Sequence, residues 1–177
     1  CESLLKDLID RGLDSKQRYL FIVDGAKALS SAIMKKFPGS PLQRCQLHKR
    51  RNVKEHLPEI HQADVERRLK AAYAMFSYKD AKAALHRVMD HLERLNPSAA
   101  RSLAEGLEET LTLHRLNVPD ALRTSLKSTN IIESSLSRVD EISGKVKRWR
   151  GGDHLQRWTA KALLVAEKKF RKVRGHQ

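Results

Sequence analysis

At 177 residues the chain has room for one sizeable core, or for one compact domain carrying a helical insertion, and two large independent domains do not fit. Its 35 Lys and Arg against 21 Asp and Glu leave a formal charge of +14, which suits an anionic partner, nucleic acid first and an anionic membrane surface second. The membrane reading is weak, because no apolar run approaches the roughly 18 to 20 residues that span a bilayer, and Cys1–Ile9 has neither the basic start nor the apolar core of a signal peptide. Two cysteines, Cys1 and Cys45, make no disulfide framework, so a reducing, cytoplasmic compartment is expected. The absent initiator Met and the immediate amphipathic pattern Leu4, Leu5, Leu8, Ile9 read as the interior of a larger protein.

In chain order, Leu4 to Asp10 predicts a helix with Gly12 as its stop. Tyr19 to Val23 predicts a short strand covered on both faces. After Gly25, Ala26, Leu29, Ile33 and Phe37 recur at helical spacing until Pro38-Gly39, and Leu42 to Leu47 predicts a second strand. Strand, helix, strand in so short a compass is a parallel crossover unit. From Lys49 onward the pattern is helical. Val65, Leu69, Tyr73 and Phe76 form one stripe, Leu85, Val88, Leu92 and Leu95 the next, and beyond Asn96-Pro97 a helix carries Leu103, Leu107 and Leu111. Ile132, Leu136 and Val139 mark another helix, and Leu155, Trp158, Ala162 and Val165 the last, with Asp153 and Gln156 spaced as a capping box after Gly151-Gly152. The expected fold class is α/β and predominantly helical overall. Its parts are a core portion at 1–52, an all-helical insertion at 53–126, and C-terminal helices at 127–177.

Three stretches could carry chemistry. In FIVDGA, residues 21–26, Asp24 stands at the carboxyl end of a strand, the edge where α/β sheets place their ligands. It could equally cap the helix that follows. In STNIIES, residues 128–134, Asn130 and Glu133 fit a capping box, yet one helical turn also puts both on one face, where they could point at a common site. In RCQLHKRRN, residues 44–52, Cys45 and His48 have a zinc-like spacing without a second pair, so a buried Cys and a hydrogen-bonded His are expected in place of structural zinc. Basic residues cluster at Arg44, Lys49, Arg50 and Arg51 and at Lys145, Lys147, Arg148 and Arg150 around Trp149, the candidate DNA-binding residues, and again at Lys168, Lys169, Arg171, Lys172 and Arg174. The middle cluster, with an aromatic ring among cations, is suited to base stacking and phosphate contact. Trp158, on an apolar stripe, is expected in the core.

Taken in order, FIVDGA, FPGSPLQRCQLHKRRNV, the helical block, STNIIES and VKRWRGGDHLQRWTAKALLVAEKKFRK resemble the mutator-type bacterial transposases through nearly the whole chain. The resemblance implies a ribonuclease H-like core and a catalytic Asp, Asp, Glu triad that binds two divalent ions, Mg with Mn as a substitute. It implies that Asp24 is the second Asp and Glu133 the final Glu, both metal ligands, with Cys45, His48 and Asn130 in the family's accompanying motifs. The implied partners are transposon ends and target DNA, with a homo-oligomer possible in principle, no membrane, and a nucleoid-associated location in a bacterial cytoplasm. One departure stands out: no strand precedes Tyr19, and Asp7, Asp10 and Asp14 do not match the first Asp, which is expected upstream of Cys1. The alternatives are a non-catalytic DNA-binding derivative of the same fold, and a helical RNA-binding protein.

Overall fold

Helix α1 (Glu2–Asp10) buries Leu5, and Gly12, at φ +108°, returns its amide to Ile9 O as the chain leaves the helix. That conformation is open to glycine at little steric cost, so the expected stop is observed. Strand β1 (Phe21–Val23) is shorter than the apolar run that predicts it, and only Val23 is fully buried. Helix α2 (Lys27–Lys36) crosses over to β2 (Leu42–Arg44), which lies parallel to β1 with Val23 opposite Arg44. The computed structural model describes residues 1–173; among these residues β1 and β2 are the two strands, and the chain is predominantly helical.

The second strand ends three residues before its expected limit, because Cys45 turns the chain directly into α3 (Gln46–Glu55) and its sulfur accepts the His48 amide proton at 3.5 Å as an N-cap. Its middle residue is polar and fully buried. Gln43 Nε2 donates to Arg44 O and to Thr110 O, and Gln43 Oε1 accepts from Leu113 N at 2.9 Å, so both amide protons and the oxygen are bonded.

Helices α4 (Glu59–Tyr73), α5 (Tyr78–Leu95) and α6 (Pro97–Ala104) follow, and no strand lies between residues 53 and 126. Ser77 caps α5 and Asn96 caps α6, where Pro97 occupies the first turn, a position that has no amide bond to lose. Val53, Val65, Leu69, Leu85, Val88, Leu92 and Leu103 form the larger core. A smaller one gathers Leu5, Val23, Ile33 and Phe37 beneath the sheet. Two expectations need correction here. Phe76 lies past the end of α4 and is exposed, with the Arg123 guanidinium over its ring. The stripe Leu103, Leu107, Leu111 is buried but does not belong to one helix: Gly106, left-handed at φ +66°, breaks it before α7 (Leu107–Thr110) and α8 (Thr112–Arg115). Helix α9 (Asp120–Leu126) completes a first unit, Cys1–Ser128.

The second unit begins at Thr129 and contains α10 (Asn130–Ser143) packed on α11 (Gly152–Glu167). Helix α11 buries Ala162 and Ala166. Gly151 stands at its N-cap with no side-chain bond, so the expected Asp153–Gln156 capping box does not form. Trp158 is also corrected: it is exposed, and its indole N–H donates to His154 Nε2 at 2.8 Å.

Candidate active-site carboxylates and basic surfaces

Asp24 follows the buried Val23 and is itself exposed at the carboxyl end of β1. It does not cap α2. Ala26 is the N-cap residue of that helix and has no side-chain bond, whereas Asp24 Oδ1 accepts the Ala26 amide at 3.0 Å and closes a turn two residues long. The rim position is where a parallel sheet presents ligands. Gly25, at φ +111°, lies against the Arg44 side chain.

Glu133 belongs to the second unit. Its carboxylate Oε1 accepts from the Thr129 hydroxyl at 2.5 Å, and its amide bonds to Thr129 O. Thr129 is the residue before the helix, and Asn130 is already its first helical residue and exposed, so of the two readings of Asn130 and Glu133 the capping box is not formed. The hydroxyl bond instead fixes the direction of the Glu133 side chain, half-buried on the first turn of α10.

Cys45 is fully buried, and besides capping α3 its Sγ lies 3.2 Å from His48 Nδ1. Cys45 N donates to Val23 O at 2.7 Å, which ties this pair to the last residue of β1, directly before Asp24. Among the described residues, no group of three His, Cys, Asp or Glu side chains is gathered closely enough to hold a metal ion.

The first of the candidate DNA-binding clusters is partly interior. Arg44 is 7% exposed and Lys49 1% exposed. Arg44 Nη1 donates to Glu105 O at 3.2 Å, and Nη2 reaches Glu105 Oε2 at 3.3 Å. Lys49 Nζ donates to Ser102 O and Glu105 O, each at 2.6 Å. Burial, together with the nearby Arg44 charge, lowers the Lys49 amine to about 8. Glu105 also pairs with Lys27 at 3.3 Å, and this Lys27 bond, with the charges of Arg44 and Lys49, holds its carboxyl below the ordinary carboxylate range. Arg50 is bound to Glu66 at 2.6 Å, and Arg51 is exposed. A short basic segment next to a sheet cannot be told from a surface patch by composition; the glutamate that receives two of its cations lies far along the chain and was not a predicted site residue.

The middle cluster is exposed throughout: Lys145, Lys147, Arg148, Trp149 and Arg150 all face solvent. Trp149 stacks edge-on against His154 with centroids 5.5 Å apart. In the last cluster Lys168, Lys169, Arg171 and Lys172 are exposed, and Arg174 lies outside the described residues.

The sequence profile of the family described as "Transposase, Mutator family" matches residues 2–149. This chain belongs to the Mutator family of transposases. It is similar to the transposase for insertion sequence element IST2 of Acidithiobacillus ferrooxidans, 26% identical over 94% of this chain and 55% of that protein. It is also similar to the transposase for ISRM5 of Rhizobium meliloti, 33% identical over 75% of this chain and 32% of that protein. The transposase for IS256 in transposon Tn4001 of Staphylococcus aureus is 32% identical over 71% of this chain and 32% of its own length. The Mutator-family chain thus spans between about a third and about half of these relatives. Among its described residues no helix is long and apolar enough to cross a membrane.

Proposed function

We propose that this Mutator-family chain is part of the catalytic domain of a transposase, with a ribonuclease H-like core, that cleaves a mobile DNA element and joins its ends to target DNA. The observation that carries the reading is Asp24: an exposed carboxylate at the carboxyl end of β1, in a strand–helix–strand parallel unit, in a chain that belongs to a transposase family. In this reading residues 1–52 belong to the core, 53–126 are a helical insertion, and 127–177 return to the core with Glu133.

The donors suit a hard divalent ion, since Asp24 and Glu133 offer charged oxygen and the second Asp24 oxygen has no hydrogen bond among the described residues. They are two carboxylates of a proposed three, with the remaining Asp supplied from outside this chain. Bound Mg, or Mn in its place, would activate the attacking hydroxyl and stabilise the leaving oxygen of an in-line phosphodiester displacement. The chain's own contributions are to present Asp24 on a turn closed by the Ala26 amide, to hold Glu133 through the Thr129 hydroxyl, and to offer cations to the phosphate backbone at Lys145, Lys147, Arg148 and Arg150, with Trp149 available to stack on a base.

The test is strand transfer by the longer protein that contains this chain. Asp24→Asn and Glu133→Gln should each reduce Mg-dependent strand transfer by at least a hundredfold, because each removes one negative ligand, while thermal unfolding stays near that of the parent. Near-normal strand transfer by either variant would show that its carboxylate is not a ligand. Loss of DNA joining in the unsubstituted protein, with DNA binding intact, would favour a non-catalytic DNA-binding derivative.

A further inference from the structure

The turn that carries Asp24 is braced from below. Arg44, the last residue of β2, lies opposite Val23 and sends its guanidinium between two glycines. A Cβ on Gly25 would stand 2.5 Å from Arg44 Nε, 2.7 Å from Nη2 and 2.8 Å from Cζ, and a Cβ on Gly106 would strike Nη1 and lie 3.2 Å from Cδ. Both glycines have positive φ, +111° and +66°, so each is suited to its place by conformation as well as by space. The fork of Arg44 ends on the main chain and the carboxylate of Glu105, immediately before Gly106. The other Glu105 oxygen takes Lys27, the first residue of α2, at 3.3 Å. Glu105 therefore holds the Asp24 turn on both sides: through Arg44 beneath Gly25, and through Lys27 just past Ala26. Lys49 fixes Glu105 in turn by its main-chain carbonyl. Within this arrangement Arg44 Nε is buried with no hydrogen-bond partner among the described residues, an arrangement unfavourable for stability alone.

We infer that Arg44 is a positioning residue for Asp24, its guanidinium filling the slot between Gly25 and Gly106 and locking the Asp24 turn to the helical block through Glu105. The inference rests on the reading of Asp24 as a metal ligand. A point charge does not replace the flat fork: lysine can reach Glu105 but leaves the slot between the glycines unfilled.

Two measurements test it. In the 177-residue chain, Arg44→Lys should speed amide exchange at Ala26, whose N–H is held by Asp24, at least tenfold, while the amides of α5 exchange as before. In the longer protein the same variant should lower the maximal strand-transfer rate at least tenfold and raise the Mg concentration for half-maximal rate several-fold. Glu105→Gln, which keeps the carbonyl bonds and removes only the carboxylate charge, should change both in the same direction by a smaller factor. Unchanged exchange at Ala26, exchange that accelerates equally throughout the chain, or an unaltered Mg requirement in Arg44→Lys would overturn the inference. Should Arg44→Lys fail to fold, the Glu105→Gln result decides it by the same criteria. Full strand transfer by Asp24→Asn would instead sink the metal-ligand reading, whereas an inactive Asp24→Asn beside an unaffected Arg44→Lys would sink only the positioning role.

Discussion

Lys49 gives the single residue with the clearest pH signature. Its ordinary value is 10.5 and burial lowers it to about 8, so the native chain releases this proton first as pH rises. Below about pH 8 the ammonium is present in both native and unfolded states and the full cost of burying it is felt. Between about 8 and 10.5 the unfolded chain binds more protons, and this residue's contribution to stability rises with pH. Tyr73 acts in the opposite sense at higher pH, because burial raises its hydroxyl to about 12 from 10.0. The expected outcome is a rising component of stability between about pH 8 and 9.5 in denaturant titrations, abolished by Lys49→Met. That variant should also lose about 1–3 kcal/mol at neutral pH, the usual cost of leaving buried groups unsatisfied, since the carbonyls of Ser102 and Glu105 lose their donor. None of this was legible in the sequence, where Lys49 stands in a run of cations that reads as one surface. Asp24 was legible as an acid at a strand end but not as the acceptor of a two-residue turn, because an acid two residues before a helix cap and one at the cap look alike until the backbone is known.

The elements were read most accurately where a cap or a breaker is local. Asn96-Pro97 was expected to separate two helices, and it does so because Asn96 Oδ1 accepts the Ser98 amide at 2.8 Å while Pro97 starts α6. Asn96 Nδ2 also donates to His56 O at 2.6 Å, a bond no local pattern announces. Asn96→Asp should therefore retain the cap and lose only the bond to His56, whereas Asn96→Ala loses both and should be the less stable by about 1 kcal/mol in thermal or denaturant unfolding. Boundaries failed where distant partners decide them. Strand β2 stops at Arg44 since the next residue caps α3, and its polar Gln43 is satisfied in burial by Arg44 O beside it and by Thr110 and Leu113, far away in sequence. The break at Gly106 was hidden because Leu103, Leu107 and Leu111 keep helical spacing across it, and all three are buried on either side of the turn.

At the scale of the whole chain, the charge of +14 was the firmest guide from sequence to an anionic partner, and structure redistributes it. Arg44 and Lys49 spend their charge on Glu105, so the exposed cations at 145–150 are expected to carry phosphate contact. For about six contacts the log-log salt dependence of duplex DNA binding should have a slope of roughly −5, and replacing Lys145, Lys147 and Arg150 by Ala should make it shallower by about 2 to 3. An unchanged slope, measured by fluorescence anisotropy across a salt series, would remove that cluster from the interface. The long reach of the Arg44 to Glu105 bond also sets an order of events as the chain folds. Helices α4, α5 and α6 pack in succession, α4 on α5 and α5 on α6, a condition for rapid formation, while Arg44 must await a carboxylate 61 residues further on. Substitutions at Val88 in α5 should slow folding, and substitutions at Arg44 should mainly speed unfolding. During synthesis on a ribosome, the turn that presents Asp24 therefore emerges long before its brace exists, and it acquires its final shape only after the helical block has been made.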